Sequence, residues 1–339
     1  MPAWTPPIRG DGGAVLAGSI AAVESIRLNG VEQWLVLRGH DQANPVLLFL
    51  HGGPGTPETA PLIAYDRALE ADFIVVSWDQ RGAGKSYPGG LVDPAAITPA
   101  QLLEDTHALT AYLKARFAQQ QIYLVAHSWG TILAIRAARE SPADYAALVS
   151  IAQTSDALRE EVSMHVWALE QARRAGDRRA IRELRGLNPG CRSIAERAVR
   201  VRWIERFGGG VMHRSGGLAE LTRTIIRSPE YTLREKLTYR RATAFTLAHL
   251  FPDGMVPAID LAAEVPAVDV PVWFVHGRFD QLVPLAVAHD YCRTLRAPAK
   301  TFVVFDESAH SPPFEEPERF HQLMLDVRDR APGRAPQTR

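Results

Sequence analysis

The stretch Ile122-Tyr-Leu-Val-Ala-His-Ser128-Trp-Gly130-Thr-Ile-Leu-Ala-Ile135 decides how this chain reads. Residues 122–126 form a short continuous apolar run, the signature of a strand buried on both faces. A turn of small and polar residues follows, then a helical pattern over 131–140 that ends before Ser141-Pro142. A serine between strand and helix, with glycine two residues on, fits a nucleophile elbow, whose usual pattern is G-x-S-x-G. Here Ala126 replaces the first glycine and adds only a methyl group at the crowded turn. Such an elbow aims the Ser128 hydroxyl away from the sheet. It also leaves the Trp129 backbone N–H at a helix start, where it can stabilise an oxyanion.

A serine nucleophile needs a base, and the base needs an orienting carboxylate. In a strand–helix fold of this kind they follow in the order acid then histidine, each just after a later strand. The apolar run 270–275 leads into His276-Gly-Arg-Phe-Asp280, and the run 301–305 leads into Asp306-Glu-Ser-Ala-His310. Asp280 and His310 therefore fall where the second and third members belong, with Asp306 as the alternative acid. The remaining oxyanion donor should come from the loop after residues 45–50, which reads His51-Gly-Gly-Pro-Gly55. Glycine lets a backbone N–H turn inward without a side chain in the way. Gly53 is assigned that role, Gly52 is the alternative, and His51 is read as a brace for the loop.

Working outward, residues 19–28 and 32–38 alternate around Asn29-Gly30, a strong hairpin signal. Buried runs at 45–50, 73–77, 122–126, 145–151, 270–275 and 301–305 alternate with helical patterns at 98–117, 131–140, 285–295 and 317–327. Thr98 and Gln101 resemble a capping box. This alternation predicts βαβ units and a mostly parallel sheet with helices on both faces. Residues 152–262 break the rhythm and read as helices throughout. Within 151–250 there are 19 Lys and Arg against 11 Asp and Glu, leaving 19 against 27 elsewhere. The organisation expected is a flexible segment 1–18, a core 19–151, a helical cap 152–262, the rest of the core 263–330, and a flexible tail 331–339.

Over all 339 residues, 38 basic and 38 acidic side chains cancel, which gives no global electrostatic reason to expect nucleic acid or a membrane surface as partner. Two cysteines, Cys191 and Cys292, cannot build a disulfide framework. No run approaches a membrane span, the first residues do not resemble a signal peptide, and a cytoplasmic location is expected. Gly82-Ala-Gly84-Lys85-Ser86 looks like the end of a phosphate-binding loop, but the pattern would need glycine at position 79, which is Asp. Asp79, Arg81 and Ser86 are read instead as fixing a turn through side-chain-to-backbone bonds. His165, His213, His249, His289 and His321 show no ligand spacing and are read as solvated or locally packed. No metal or cofactor is expected.

The motifs His51-Gly-Gly-Pro-Gly55, Trp78-Asp-Gln-Arg-Gly-Ala-Gly-Lys-Ser86, His127-Ser-Trp-Gly-Thr131, Gly277-Arg-Phe-Asp280 and Ala309-His310-Ser311 together resemble the α/β-hydrolase superfamily, in its proline iminopeptidase-like branch. The resemblance implies the α/β-hydrolase fold with an inserted helical cap, a Ser-His-Asp triad and an acyl-enzyme. Proline iminopeptidases usually carry Gly-Gly-Ser-Trp-Gly at the elbow, where this chain has Ala126-His127. They hold the substrate amine with cap glutamates, for which Trp203-Ile-Glu205 offers a partial match, making Glu205 the candidate substrate-binding residue. These departures weaken the peptidase expectation, and the preferred expectation is a bulky ester or lactone admitted under the cap, a macrocyclic lactone such as a macrolide antibiotic being a candidate by analogy with other α/β-hydrolases. Removal of N-terminal proline from peptides is the second expectation. A non-catalytic binding protein on the same fold is the third.

Overall fold

The structure, a computed structural model, describes residues 2–87, 93–214 and 216–331. Strands β1 (Ile20–Leu28) and β2 (Val31–Gly39) form the expected hairpin, with Asn29 and Gly30 at φ of 44° and 81° in the turn that Asn-Gly favours. They are followed by β3 (Val46–Leu50), β4 (Ile74–Asp79), β5 (Ile122–His127), β6 (Tyr145–Ile151), β7 (Val272–Gly277) and β8 (Lys300–Phe305). The eight strands make one sheet in the order β1-β2-β4-β3-β5-β6-β7-β8. β2 is antiparallel to β1 and β4, and the remaining pairs are parallel. Every residue of β3 to β7 is buried, which is why those runs are unbroken by polar alternation.

Helices α1 (Thr59–Tyr65), α2 (Pro99–Arg116) and α3 (Gly130–Glu140) join the early strands. Among the described residues, six helices lie between β6 and β7: α4 (Ala157–Arg174), α5 (Arg178–Arg185), α6 (Ile194–Arg206), α7 (Gly217–Arg227), α8 (Leu233–Leu250) and α9 (Leu261–Glu264). Then come α10 (Leu285–Thr294), α11 (Pro312–Glu315) and α12 (Pro317–Arg330). Alternate strand residues feed two cores. Leu48, Val76 and Leu124 pack with Leu109 of α2 and Leu133 of α3, whereas Leu47, Val75 and Val125 pack with Leu62 of α1 and Phe320 of α12. Between α4, α5 and α6 a third cluster, including Met164, Leu184 and Trp203, gives that segment a small core of its own. β3 is flanked by β4 on one side and β5 on the other, so the chain turns opposite ways from it. The carboxyl ends of β3 and β5 thus open a crevice at a topological switch point, the usual ligand site of such sheets.

Three expectations need correction. The start of the N-terminal segment is tied down around Thr5: Arg38, buried against Glu70, donates to Thr5 Oγ1 (2.6 Å) and the Pro6 carbonyl (2.7 Å), and Thr5 Oγ1 donates to Glu230 (2.8 Å). A guanidinium with donors left over after pairing must find acceptors when buried, and the N-terminal segment supplies them. The expected tail lies, beyond Ala331, outside the described residues. Second, the capping box at Thr98 is half formed: Thr98 accepts from the Gln101 N–H, but the Gln101 side chain donates to Asp105.

Third, Arg81 does not act mainly through the backbone. Its Nε and Nη2 donate to both oxygens of Asp105 on α2 at 2.7 and 2.8 Å, and the same carboxylate accepts from Gln33 (2.7 Å) and Asn29 (2.8 Å). The hairpin, the loop after β4 and α2 are joined through this one buried carboxylate. Replacing Arg81 with Met leaves that charge buried without its cation. The variant is expected to lose about 3–5 kcal/mol of stability, read from the urea-unfolding midpoint. A loss below about 1 kcal/mol would show that the junction does not depend on the ion pair.

Candidate active site

Ser128 has φ of +52°, the left-handed region that a non-glycine residue enters at a cost of about 1–2 kcal/mol. Its N–H donates to the Ile151 carbonyl on β6 (2.9 Å), and its own carbonyl accepts from the Thr131 N–H (2.9 Å) and hydroxyl (2.6 Å). Glycine is required at the helix side of this turn, and the facing loop after β3 is tight. A Cβ on Gly130 would stand 2.4 Å from the Leu50 carbonyl oxygen, and one on Gly52 would stand 3.0 Å from Ser128 Cβ. The ends of β3 and β5 are therefore in backbone contact, with Ser128 raised above them.

Asp280 is fully buried after β7, and its Oδ2 accepts from His310 Nδ1–H at 2.9 Å. Its Oδ1 accepts from the Leu282 and Val283 N–H groups at 2.9 and 3.0 Å. Burial pushes this carboxyl up, but the His310 and His276 rings and the backbone donors together hold it below the usual carboxylate range. The alternative acid, Asp306, is a surface partner of Arg278 and Arg319. Gly277 makes the arrangement possible: a Cβ there would fall 1.8 Å from the Ala309 carbonyl oxygen. Ser128 and His310 border the same cavity, with no hydrogen bond between them among the described residues. Such contacts are commonly loose before substrate binds.

The structure separates the two candidate oxyanion donors. The Gly52 N–H is given to Glu58 Oε2 (3.1 Å), whereas neither the Gly53 nor the Trp129 N–H has an acceptor among the described residues, and both residues border the space above Ser128. His51 braces the loop as expected. Its Nδ1–H donates to the Gly52 carbonyl (2.9 Å), its Nε2 accepts from the Gln80 N–H (3.2 Å), and burial lowers its pKa to about 4.

Sequence reading missed one element of the site. His127, beside Ser128, joins Glu58 Oε1 through Nδ1 (2.6 Å) and donates from Nε2 to the His310 carbonyl (2.8 Å). Burial alone would discharge both partners, yet each is held charged by the other: Glu58 is lowered and His127 raised. His127 was visible only as a departure at the elbow, and nothing local marks Glu58 as its partner.

A cavity of about 970 Å³ opens above Ser128 and His310, walled by α6 through Arg202, Glu205 and Arg206 and by the loop 208–214. Glu205 Oε1 accepts from the Val211 N–H (2.8 Å), and burial raises its pKa against the opposing pull of that bond and of His310. His213 is locally packed, stacked on Phe279 at 3.7 Å, and also borders the cavity. The loop is bonded to the site floor, since Gly210 accepts from the His310 N–H (3.2 Å) and Gly209 from the Gln281 N–H (2.9 Å).

Residues 47–323 match the model of the alpha/beta hydrolase family. The chain belongs to that family. It is 31% identical over 308 residues to the probable aminopeptidase YbaC of Bacillus subtilis (strain 168), covering 90% of this chain and 96% of that one. A proline iminopeptidase of Heyndrickxia coagulans is 26% identical, covering 83% and 89%. Solved structures of the same fold include a proline iminopeptidase of Mycobacterium smegmatis (TM-score 0.62, 18% identity, 91% and 98% covered) and VinJ (TM-score 0.63, 20% identity, 91% and 99% covered). The hydrolase lies in the proline iminopeptidase-like branch of the superfamily.

The hydrolase keeps His51 neutral in a position where protonation would break the bond from Gln80. With a folded pKa of about 4 against about 6.5 unfolded, the unfolded chain takes the proton first as pH falls. The stability held by neutral His51 is therefore complete above pH about 6.5 and is lost towards pH 4, by about 3 kcal/mol. Denaturant unfolding at pH 7 and pH 4.5 should show a smaller acid loss in His51→Asn than in the parent. Equal losses would remove His51 as the cause.

Proposed function

We propose that this is a serine hydrolase that releases N-terminal residues from peptides through an acyl-enzyme. Ser128 Oγ attacks the scissile carbonyl carbon while His310 Nε2 takes its proton and Asp280 stabilises the imidazolium. The Gly53 and Trp129 N–H groups hold the oxyanion. His310 returns the proton to the leaving amine, then activates the water that frees the acid and restores Ser128. The observation that carries the acyl-transfer reading is the 2.9 Å Asp280–His310 bond beside a serine raised at φ +52°. Glu205 supports the amine-bearing substrate: it lines the same cavity, one oxygen is held by Val211, and the other accepts no bond from a described residue. The aminopeptidase and proline iminopeptidase names of the relatives favour the same choice.

A second reading is hydrolysis of a bulky ester or lactone, macrocyclic lactones included, with the 970 Å³ cavity in its favour. That space is at the upper end of what small-molecule pockets offer. Turnover of aminoacyl arylamides, prolyl first, with Ser128→Ala as blank, separates the two. A Ser128-dependent kcat/KM above roughly 10⁴ M⁻¹s⁻¹ is expected for a committed aminopeptidase. Absence of turnover across the panel would transfer the assignment to esters and lactones. Failure of Ser128 to react with an organophosphonate probe would favour a non-catalytic binding protein.

A further inference from the structure

Ser128 borders a second, smaller cavity of about 230 Å³ beside the first. Gly53, Ser128 and the α6 residues Arg197, Ala198 and Val201 belong to both spaces, so the two adjoin at the serine and along one face of α6. The walls of the smaller one are mostly apolar, with Ile194, Leu247, Phe251, Val256 and Ile259 among them. Its volume falls below the roughly 300 Å³ at which pockets for drug-sized ligands begin, so it suits a single slender chain.

One carboxylate opens into this apolar space. Glu160, 2% exposed in the first turn of α4, lines it. Its Oε1 accepts from the Ser155 N–H (2.7 Å) and the Asp156 N–H (3.3 Å), while Oε2 takes no bond from any described residue. A structural cap would need only the first oxygen. The neighbouring charges are already matched: Glu161 pairs with Arg197 and Arg200, and Arg200 also with Glu196. Two cations thus meet two carboxylates, and Glu160 is left without a counter-ion. Burial accordingly raises its pKa to about 8, against the weaker pull of the two N–H donors and Arg197 and with a push from Glu161. A buried carboxylate with a free oxygen at an apolar wall is completed by a cation that brings its own apolar stem. Ser128 and Glu160 line the same 230 Å³ space, so a stem held at one end by the serine runs within reach of the carboxylate.

We propose that the smaller cavity is the acyl-chain subsite, and that Glu160 is the counter-ion there for a protonated amine at the end of an apolar acyl stem. This deepens the reading of Ser128 as nucleophile and rests on it. For a peptide substrate it selects an N-terminal residue with a lysine-like side chain over proline.

The test compares aryl esters of 6-aminohexanoic and heptanoic acid, equal in length and differing in the terminal charge. The parent enzyme is expected to favour the amino ester about tenfold in kcat/KM, the scale of one hydrogen bond to a charged group. In Glu160→Gln, which keeps the acceptor for Ser155, that ratio should fall to about one. A ratio that survives the substitution, or a parent that favours heptanoate, overturns the proposal. Calorimetric binding of butylammonium to Ser128→Ala, with and without Glu160→Gln, decides the same point without turnover. Binding that disappears with Glu160→Gln supports it, and equal or absent binding in both overturns it. Ester turnover unaffected by Ser128→Ala would instead remove the nucleophile reading, and butylammonium would still decide this one.

Discussion

The contact between the Gly130 backbone and the carbonyl of Leu50 is the constraint on which the site depends. At 2.4 Å from a hypothetical Cβ, it leaves room for hydrogen alone, so β3 and β5 end side by side. That closeness holds Ser128 in its left-handed conformation and places the loop beginning at His51 directly beside it. The strain at one residue is small against the stability of a sheet whose five central strands are wholly buried.

Around that point the site is assembled from segments far apart in sequence, and buried charge links them. Glu58 reaches the Gly52 N–H with one oxygen and His127 with the other, and His127 passes the connection on to the His310 carbonyl. The loop before α1, the elbow and the histidine loop are thereby registered against one another. Asp280 registers the fourth segment by accepting from His310 and from its own following backbone. The opposite charges of Glu58 and His127 keep that pair ionised where burial would otherwise neutralise it, and the donors around Asp280 hold its carboxyl below the usual range.

What could be read from the sequence was what local physics dictates. Unbroken apolar runs gave the central strands, Asn29-Gly30 gave the hairpin, and small residues around Ser128 gave the elbow. Asp280 and His310 were legible because each follows a strand in a fixed order. The remainder depends on partners that no local pattern names. Thr5 is ordered by Arg38, some thirty residues away, so a Pro- and Gly-rich start looked loose. Asp105 gathers Asn29, Gln33 and Arg81 from three places. The shape of the space above Ser128 depends on how the helices between β6 and β7 pack, which composition alone does not specify.

The bond from the His310 N–H to the Gly210 carbonyl gives the wall of the larger cavity a second part to play. Residues 208–214 cannot swing outward without releasing the backbone of the imidazole that would act as base. The cavity wall and the placement of this imidazole are therefore held by the same contact, and a change in that loop would reach both.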